Sequence, residues 1–268
     1  MEVKVKKIIS SDGTSIAFDK TGKGPALVLV DGAFCFREYG VTPMLVPLLS
    51  DFFTVYSYDR RGRGESSDKE PYSVDNEIED LKKMIEQTEE VPFICGFSSG
   101  AALVLRAMNK GLRVKKIALF EPPYVVNSFN TSAPPTDAEI QLTNFIKQGN
   151  RSDAVKYFMT KVLGMPGIAV LLFKLFGRSL WEKNESVANT LSYDVAIMGN
   201  YSVPKEIAAS IDVPSVVIGG ERSPRILREA ILEISRSIPG SQIKLLKRQS
   251  HNVPMKILAP CLIDFFNG

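Results

Sequence analysis

A serine near the middle of the chain has the surroundings of an enzymatic nucleophile. Ser98 is the central residue of Gly96-Phe97-Ser98-Ser99-Gly100, a Gly-x-Ser-x-Gly pattern. The pattern follows the apolar run Pro92–Cys95, which is typical of a buried strand, and it precedes a helical pattern over Ser99–Asn109. Between a strand and a helix, such a serine occupies a strained turn whose small neighbours let the two elements pack closely. The sequence therefore predicts that Ser98 is a nucleophile.

Only one histidine is available to act as the general base for Ser98. A serine hydroxyl is a weak nucleophile unless an adjacent base takes its proton, and His251 is the only histidine in the chain. It lies in the polar loop Gln249–Asn252, between the last predicted strand and the last predicted helix. A lone histidine is more often an ordinary loop or core residue, but this position favours a base. The same count excludes metal sites built on two or three histidines.

Composition and charge exclude several classes of protein. The 268 residues are 44% hydrophobic and 24% charged, and the net charge of +3 is spread over short basic runs, so no nucleic-acid partner is expected. The N-terminus lacks the apolar region of a signal peptide. The apolar stretch Val162–Gly177 is too short and too interrupted to span a bilayer, so no membrane partner is expected. Cys35, Cys95 and Cys261 show no paired spacing, which favours reduced thiols and a cytoplasmic location. The oligomeric state is left open.

Strands and helices alternate over most of the chain. Alternating residues on both sides of Asp12-Gly13 predict an antiparallel hairpin, and the later alternation predicts a mostly parallel α/β sheet of eight strands in all. Ser223 is expected to cap a helix that begins at Pro224. The predicted strands are Val3–Ser10, Thr14–Lys20, Ala26–Val30, Phe53–Tyr58, Pro92–Cys95, Lys116–Phe120, Ser215–Ile218 and Ile243–Leu246. The predicted helices between them are Glu38–Leu49, Ser73–Thr88, Ser99–Asn109, Pro224–Ile238 and Pro254–Phe266.

The alternation is interrupted between Pro122 and Pro204, where helical patterns occur without a strand. We expect residues 124–203 to form a helical cap inserted after the sixth strand, and residues 1–123 and 204–268 to form the core domain; a separate helical domain is the alternative. The helical patterns are Thr136–Gln148, Arg151–Leu163, Ile168–Phe176 and Trp181–Met198. The large apolar residues of this segment predict either a roof over a substrate or the cap's own core; they are Met159, Met165, Leu172, Phe173, Phe176, Trp181 and Met198.

Taken together, the order of these motifs resembles the α/β-hydrolase family over nearly the whole chain. The turn Asp31-Gly32, the Ser98 motif, the helical insertion and the terminal His251 follow the family's order, and Tyr58–Ser66 is similar to the Asp-x-x-Gly-x-Gly-x-Ser stretch of its capped esterases, lactonases, epoxide hydrolases and cofactor-free haloperoxidases. The resemblance implies a nucleophile at Ser98, a base at His251 and an oxyanion hole formed by the backbone N–H groups of Ala33 and Ser99. It implies no metal and no cofactor. The expected substrate pocket is lined by Phe34, Phe97, Phe173 and Trp181.

The chain departs from the family pattern at two places. Asp31 stands where a histidine is common, and it brings negative charge near the pocket unless it is turned away or paired. The family's acid usually follows the seventh strand, but Ser223 occupies that position here. Either Glu221 substitutes from two residues upstream, or the acid is Glu121 at the end of the sixth strand, where some relatives place it. We favour Glu121; the alternative is that Glu121 pairs with an arginine at the cap hinge.

These residues predict a serine hydrolase that cleaves an ester or a related acyl bond of a small apolar substrate. A serine nucleophile, rather than an aspartate, argues against dehalogenase and epoxide-hydrolase chemistry. Two other classes stay open because this fold supports many functions. One is a non-hydrolytic enzyme, such as a lyase or a perhydrolase of the haloperoxidase type, with the same triad. The other is a ligand-binding protein with little turnover.

Overall fold

A central sheet of eight strands organises the chain in a computed structural model, which describes residues 5–126 and 133–268. The strands follow the order β1-β2-β4-β3-β5-β6-β7-β8 across the sheet. Strands β1 and β2 form an antiparallel hairpin, β2 pairs antiparallel with β4, and the remaining pairs are parallel. The strands are β1 (Lys6–Ile9), β2 (Ser15–Gly22), β3 (Ala26–Val30), β4 (Thr54–Tyr58), β5 (Phe93–Phe97), β6 (Ile117–Phe120), β7 (Ser215–Gly220) and β8 (Gln242–Leu246).

This arrangement confirms the predicted α/β-hydrolase architecture. The apolar run β3 is buried at all of its positions because it lies between β4 and β5 with side chains on both faces covered. Strands β5 and β7 extend two residues beyond their predicted ends, since Phe97 pairs with Phe120 of β6 and Gly220 with Leu246 of β8. The predicted first strand begins at Val3, and its residues 3 and 4 lie outside the described residues.

Helices cover both faces of the sheet and enclose two apolar cores. One core contains α2 and α3 on one face, and the other contains α1 and α11 on the opposite face. The helix α3 has the predicted bounds, whereas α1 begins four residues later than predicted. The helices of the core are α1 (Thr42–Leu49), α2 (Val74–Ile85), α3 (Ser99–Asn109), α9 (Lys205–Ala209), α10 (Arg225–Ser237) and α11 (Met255–Asn267).

The regular elements described between β6 and β7 are all helices. Those within residues 124–203 are α4 (Ala138–Lys147), α5 (Arg151–Tyr157) with a π-helical turn over Phe158–Val162, α6 (Gly167–Phe176), α7 (Arg178–Ser186) and α8 (Leu191–Met198). The single helix predicted over Trp181–Met198 is wrong: α7 and α8 are separate helices joined by a short 3₁₀ turn, Ala188–Thr190. We call residues 124–203 the helical insertion; its residues 127–132 lie outside the described part. No helix in the described ranges is both long and apolar enough to cross a membrane.

Candidate active site

The turn that carries Ser98 is strained, and its glycines are required by close packing. Ser98 adopts φ 53° and ψ −123°, a backbone conformation that a residue with a side chain rarely adopts. A Cβ atom on Gly96 would lie 2.6 Å from the Cα of Ala101, and one on Gly100 would lie 2.3 Å from the carbonyl oxygen of Val30. Both distances are too short for any side chain. The Gly-x-Ser-x-Gly pattern thus allows α3 to start directly against β3 and β5 and to leave Ser98 half-buried at the turn.

The parallel register places Ser98 and Glu121 at the same edge of the sheet. Phe97 and Phe120 are paired across β5 and β6, so the next residues in each strand are Ser98 and Glu121. The Ser98 N–H donates to the Phe120 carbonyl at 2.8 Å, which fixes the two strand ends together. His251 comes to this edge in the loop that follows β8. All three lie beyond the carboxyl ends of parallel strands, where α/β folds place their ligands.

His251 is paired with Glu121. The Nδ1 atom of His251 lies 2.6 Å from Oε2 of Glu121, whose side chain is completely buried, while the histidine side chain is 40% exposed. Because an ionised carboxylate only accepts hydrogen bonds, Nδ1 carries the proton and the lone pair is left on Nε2. This tautomer is the one that a general base for a serine requires.

The second oxygen of Glu121 is also fully engaged. Oε1 accepts the N–H of Gly220 at 2.6 Å and the hydroxyl of Ser223. Burial raises the pKa of Glu121, but the hydrogen bonds from His251, Gly220 and Ser223 outweigh burial and hold the pKa below its usual value of 4.5. The carboxylate is therefore ionised at neutral pH and able to stabilise a protonated imidazole.

The backbone conformation of Glu121 and the absence of a side chain at Gly219 leave space for the glutamate side chain. Glu121 has φ +44°, a left-handed conformation that turns the residue out of β6. A Cβ on Gly219 would lie 2.9 Å from Oε1 of Glu121 and 2.1 Å from Cδ1 of Ile231. The glycine at the end of β7 thus leaves the space that the glutamate occupies.

The position where the family's acid is expected has a different role here. Ser223 was predicted to cap the helix after β7, and that prediction is wrong: α10 begins at Arg225 without a side-chain cap, and the Ser223 hydroxyl donates to Glu121 instead. Glu221 is exposed and accepts the N–H of Arg248 at 3.0 Å, so it does not contact His251. Sequence reasoning missed the support that Ser223 and Gly220 give to Glu121. The serine standing in place of an aspartate was the signal for it.

The backbone N–H groups of Ala33 and Ser99 are the predicted donors to an anionic oxygen next to Ser98. Ser99 is the first residue of α3, and the N–H groups of a helix's first turn have no acceptor within the helix. Gly32 approaches the serine so closely that a Cβ there would lie 2.9 Å from the Ser98 Cβ, which places the following residue, Ala33, beside the nucleophile. The predicted oxyanion-hole residues thus lie on the two chain segments that flank Ser98; their role stays a prediction.

Asp31 is withdrawn into the protein rather than exposed toward a substrate. It is buried, and its Oδ2 accepts the Thr42 hydroxyl at 2.5 Å, while Oδ1 has no partner among the described residues. Burial raises the pKa of Asp31 from its usual 3.8 to about 7, although Thr42, Arg63 and Arg60 each act in the opposite direction. A large fraction of this carboxyl is therefore uncharged near neutral pH.

We expect Asp31→Asn to stabilise the protein increasingly as the pH rises. Between pH 4 and 7 the unfolded chain ionises Asp31 while the folded chain still holds the proton, so the free energy of unfolding of the natural protein falls with pH. The difference between a folded-state pKa of about 7 and the usual 3.8 lowers the free energy of unfolding of the natural protein by about 4 kcal/mol. The asparagine variant has no carboxyl group at this position and does not undergo this loss. Urea unfolding at pH 4.5 and pH 8 measures the difference, with Asp51→Asn at an exposed site as the control. A stability difference that is the same at both pH values would contradict this assignment.

An apolar cavity of about 580 Å³ is lined by residues next in sequence to the predicted site residues, although Ser98 and His251 are not themselves part of its lining. Its lining includes Phe34, which follows Ala33, and Asn252, which follows His251. The helical insertion contributes Met159, Met165, Phe173 and Asn184 to it, and the segment before and at the start of α1 contributes the rest: Cys35, Glu38, Tyr39, Gly40, Pro43 and Met44. Of the described residues that line it, Glu38 alone is charged. The cavity therefore favours an uncharged, apolar group.

The structure separates the predicted pocket residues into two groups. Phe34 and Phe173 line the cavity, but Phe97 and Trp181 do not. Phe97 is 3% exposed and packs in the core beneath α1 and α11, since alternate residues of β5 face opposite sides of the sheet. Trp181 is 3% exposed inside the insertion, where its ring packs against Phe173 and its Nε1 donates to Glu185 at 2.6 Å.

Other apolar residues of the insertion also differ from the prediction. Met159 and Met198 are buried, and Met159 and Met165 reach the cavity lining. Leu172 and Phe176 are 46% and 85% exposed, so they are not part of a core, and neither of them lines the cavity. Among residues 5–126 and 133–268, no cluster of His, Cys, Asp and Glu side chains is arranged to hold a metal ion.

Comparison with known proteins assigns the chain to a family. Its sequence matches the family model described as the alpha/beta hydrolase family over residues 27–256. The fold is similar to that of an alpha/beta hydrolase from Sphaerobacter thermophilus DSM 20745, with a TM-score of 0.90 and 41% identity over 97% of this chain and 100% of that one. The chain belongs to the alpha/beta hydrolase family, as its motifs predicted.

Two more distant structures share the fold. The esterase RhEst1 from Rhodococcus sp. ECU1013 superposes with a TM-score of 0.74 at 17% identity, covering 99% of both chains. A bromoperoxidase from Bacillus anthracis gives a TM-score of 0.72 at 20% identity, covering 98% of this chain and 100% of that one. At these identities the likeness concerns the fold alone.

Proposed function

We propose that this protein is a serine hydrolase that cleaves an ester or a related acyl bond of a small apolar substrate. The observation that carries the proposal is the buried, fully hydrogen-bonded Glu121 held 2.6 Å from Nδ1 of His251, at the sheet edge where Ser98 occupies a strained turn. A salt bridge formed for stability alone does not require a strained serine at the end of the neighbouring strand. The esterase among the structures of the same fold is consistent with the proposal.

The proposed reaction follows the roles that the geometry allows. The Oγ of Ser98 attacks the carbonyl carbon while Nε2 of His251 takes the hydroxyl proton, and Glu121 stabilises the imidazolium that results. The N–H groups of Ala33 and Ser99 donate to the negative oxygen of the tetrahedral intermediate. The imidazolium then protonates the leaving alcohol, which leaves an acyl group on Ser98. A water oxygen next attacks the acyl carbon as His251 takes the water proton; the bond to Oγ of Ser98 then breaks, the imidazolium returns the proton to that oxygen, and the acid leaves.

A panel of substrates with a covalent probe tests the proposal. We expect hydrolysis of p-nitrophenyl esters from acetate to octanoate, and labelling of Ser98 by a fluorophosphonate that peptide mass spectrometry locates. Lactones and thioesters in the same panel define the acyl bond that is preferred. Labelling of Ser98 without turnover of any member would contradict a hydrolase, and acyl transfer that requires added hydrogen peroxide would indicate a perhydrolase instead.

We expect Phe173→Ala to change the chain-length preference of the enzyme. Phe173 lines the cavity, so its removal enlarges the apolar space available to the substrate. The ratio of kcat/KM for octanoate to that for acetate should rise by about tenfold, the scale on which an apolar pocket discriminates one or two methylene groups.

Trp181→Ala is the matched control for that change. Trp181 packs on Phe173 but does not line the cavity, so its removal should lower the free energy of unfolding by about 3–5 kcal/mol and leave the preference unchanged. The same shift of preference in both variants would mean that the insertion acts through its packing rather than through contact with the substrate.

A further inference from the structure

A buried carboxylate of the helical insertion connects to both sides of the Ser98 turn. Asp194, on α8, is 2% exposed and accepts three hydrogen bonds: from Nη1 of Arg60 at 2.8 Å, from Nη2 of Arg63 at 2.7 Å and from the hydroxyl of Ser99 at 2.7 Å. Burial raises the pKa of Asp194, but the two guanidinium groups and the hydrogen bonds hold it below its usual value. The group is therefore ionised, and all of its partners belong to the core rather than to the insertion.

Arg63 transmits this contact to the Ala33 side of the site. Its Nη1 donates to the carbonyl oxygen of Gly32 at 2.5 Å, and the same atom donates to the carbonyl of Cys35 at 3.2 Å. The Gly32 carbonyl and the Ala33 N–H are the two ends of one planar trans peptide and point in opposite directions. Because Arg63 binds the Gly32 carbonyl oxygen, the Ala33 N–H points away from Arg63, and the hydrogen bond keeps it in that orientation. The same carbonyl also accepts the backbone N–H of Cys35, at the long distance of 3.4 Å, and Arg63 is its one side-chain partner among the described residues.

Ser99 makes the connection on the other side. Its backbone N–H opens α3 next to the strained Ser98, and its hydroxyl is tied to Oδ1 of Asp194. The contact anchors the first residue of α3 at a point where no intrahelical bond holds its N–H.

We propose that Asp194 is a positioning residue for both oxyanion-hole donors: it holds the N–H of Ser99 through that residue's hydroxyl and the N–H of Ala33 through Arg63. The inference rests on the proposed serine-hydrolase function, and it assigns to the helical insertion a part in the reaction besides lining the cavity. The proposed role of Asp194 is geometric: loss of its charge would leave its cluster with Arg60, Arg63 and Glu77 net positive, which by itself would favour an anionic oxygen rather than lower kcat.

Asp194→Asn is expected to lower kcat by about 10²-fold for the p-nitrophenyl ester that the enzyme prefers. Loss of one oxyanion donor costs about 10²–10³ in kcat, and misdirected donors should cost somewhat less. KM should change by less than threefold, since the donors act chiefly on the transition state. The affinity for a boronic acid that forms a tetrahedral adduct with Ser98 should fall in parallel with kcat. A role limited to stability would move neither kcat nor boronate affinity in the folded protein.

Asp80→Asn provides the matched control. Asp80 is likewise a buried aspartate with two guanidinium bonds, from Nε and Nη2 of Arg61 at 2.7 and 2.8 Å, but neither residue contacts the Ser98 turn or the Gly32–Ala33 peptide. Its loss should reduce stability and leave kcat within a factor of two. An equal fall of kcat in both variants would overturn the proposal, because it would show that breaking any buried ion pair has this effect.

A milder variant and a second measurement separate the remaining outcomes. Ser99→Ala removes one bond to Asp194 and keeps both ion pairs, so it should fold even if Asp194→Asn does not, and lower kcat by about tenfold. Hydrogen exchange of the residue 99 amide should be faster in both variants, and that of the Ala33 amide should be faster in Asp194→Asn alone, because Ser99→Ala keeps the bond between Arg63 and Asp194. Both amides should be unchanged in Asp80→Asn. Unchanged kcat and unchanged exchange in Ser99→Ala would overturn the inference.

The failure of the proposed function would look different. A natural protein that neither hydrolyses esters nor is labelled at Ser98 would overturn the proposed function, and the exchange rates would still decide whether Asp194 holds these peptides.

Discussion

Ser98→Ala is expected to reduce ester turnover by about 10⁶ and to abolish fluorophosphonate labelling. The variant lacks the atom that forms the acyl-enzyme, and removal of a triad serine costs about this factor in kcat. The fold should be preserved, because alanine has the same Cβ as serine and meets the same backbone strain at φ 53°. Steady-state kinetics, probe labelling and thermal unfolding measure the three effects.

The exposed Ser210→Ala serves as the control for this substitution, since Ser210 lies in the loop after α9, remote in sequence from the site. It should leave turnover, labelling and unfolding unchanged. A burst of product that persists in Ser98→Ala would remove Ser98 from the mechanism and with it the proposed acyl-enzyme.

Glu121→Gln is expected to lower kcat by about 10⁴, whereas Glu221→Gln should leave it within a factor of two. Glutamine can keep the bonds from Gly220 and Ser223 through its carbonyl oxygen, but its amide group then faces Nδ1 of His251 as a donor. That contact favours the tautomer with the proton on Nε2, which cannot accept the serine proton; the corresponding change in a serine triad costs about 10⁴.

The two glutamine variants control each other. Both remove one carboxylate charge after a strand of the sheet, but Glu221 contacts the backbone of Arg248 instead of the histidine. Normal turnover in Glu121→Gln with a large loss in Glu221→Gln would show that the acid follows β7 after all. A loss in both would point to an effect of charge on the whole sheet edge rather than to a specific acid.

The α/β architecture could be predicted from the sequence because local apolar patterns determine its strands and helices. Continuous apolar runs such as Ala26–Val30 indicate strands buried on both faces, and the helical repeat over Ser99–Asn109 matches α3 to the residue. The glycines of the Ser98 motif were informative for a steric reason that the structure makes explicit, since a Cβ on Gly96 or Gly100 would collide with backbone atoms. The order of motifs then led to the correct family.

The sequence did not predict which apolar side chains of the helical insertion line the cavity, lie in a core or face solvent. Apolar residues in a helical segment look alike whether they line a cavity, fill a core or face solvent, and the structure divides them among all three. Phe173 lines the cavity, Trp181 is buried beside it and Phe176 is exposed. The assignment depends on how α6 and α7 pack against each other, and no local repeat in the sequence specifies that packing.

Sequence by itself determined the candidate nucleophile and base, because one strained-turn motif and one histidine left no competitors. It also narrowed the acid to two glutamates. Tertiary structure alone decided which glutamate contacts His251, since the choice depends on Gly219 leaving room for a side chain that enters from the neighbouring strand. It also decided the partners of Asp194, which lie 95 to 134 residues away in the chain. Contacts over such separations arise from the packing of whole elements, so short-range patterns in a single sequence carry no record of them.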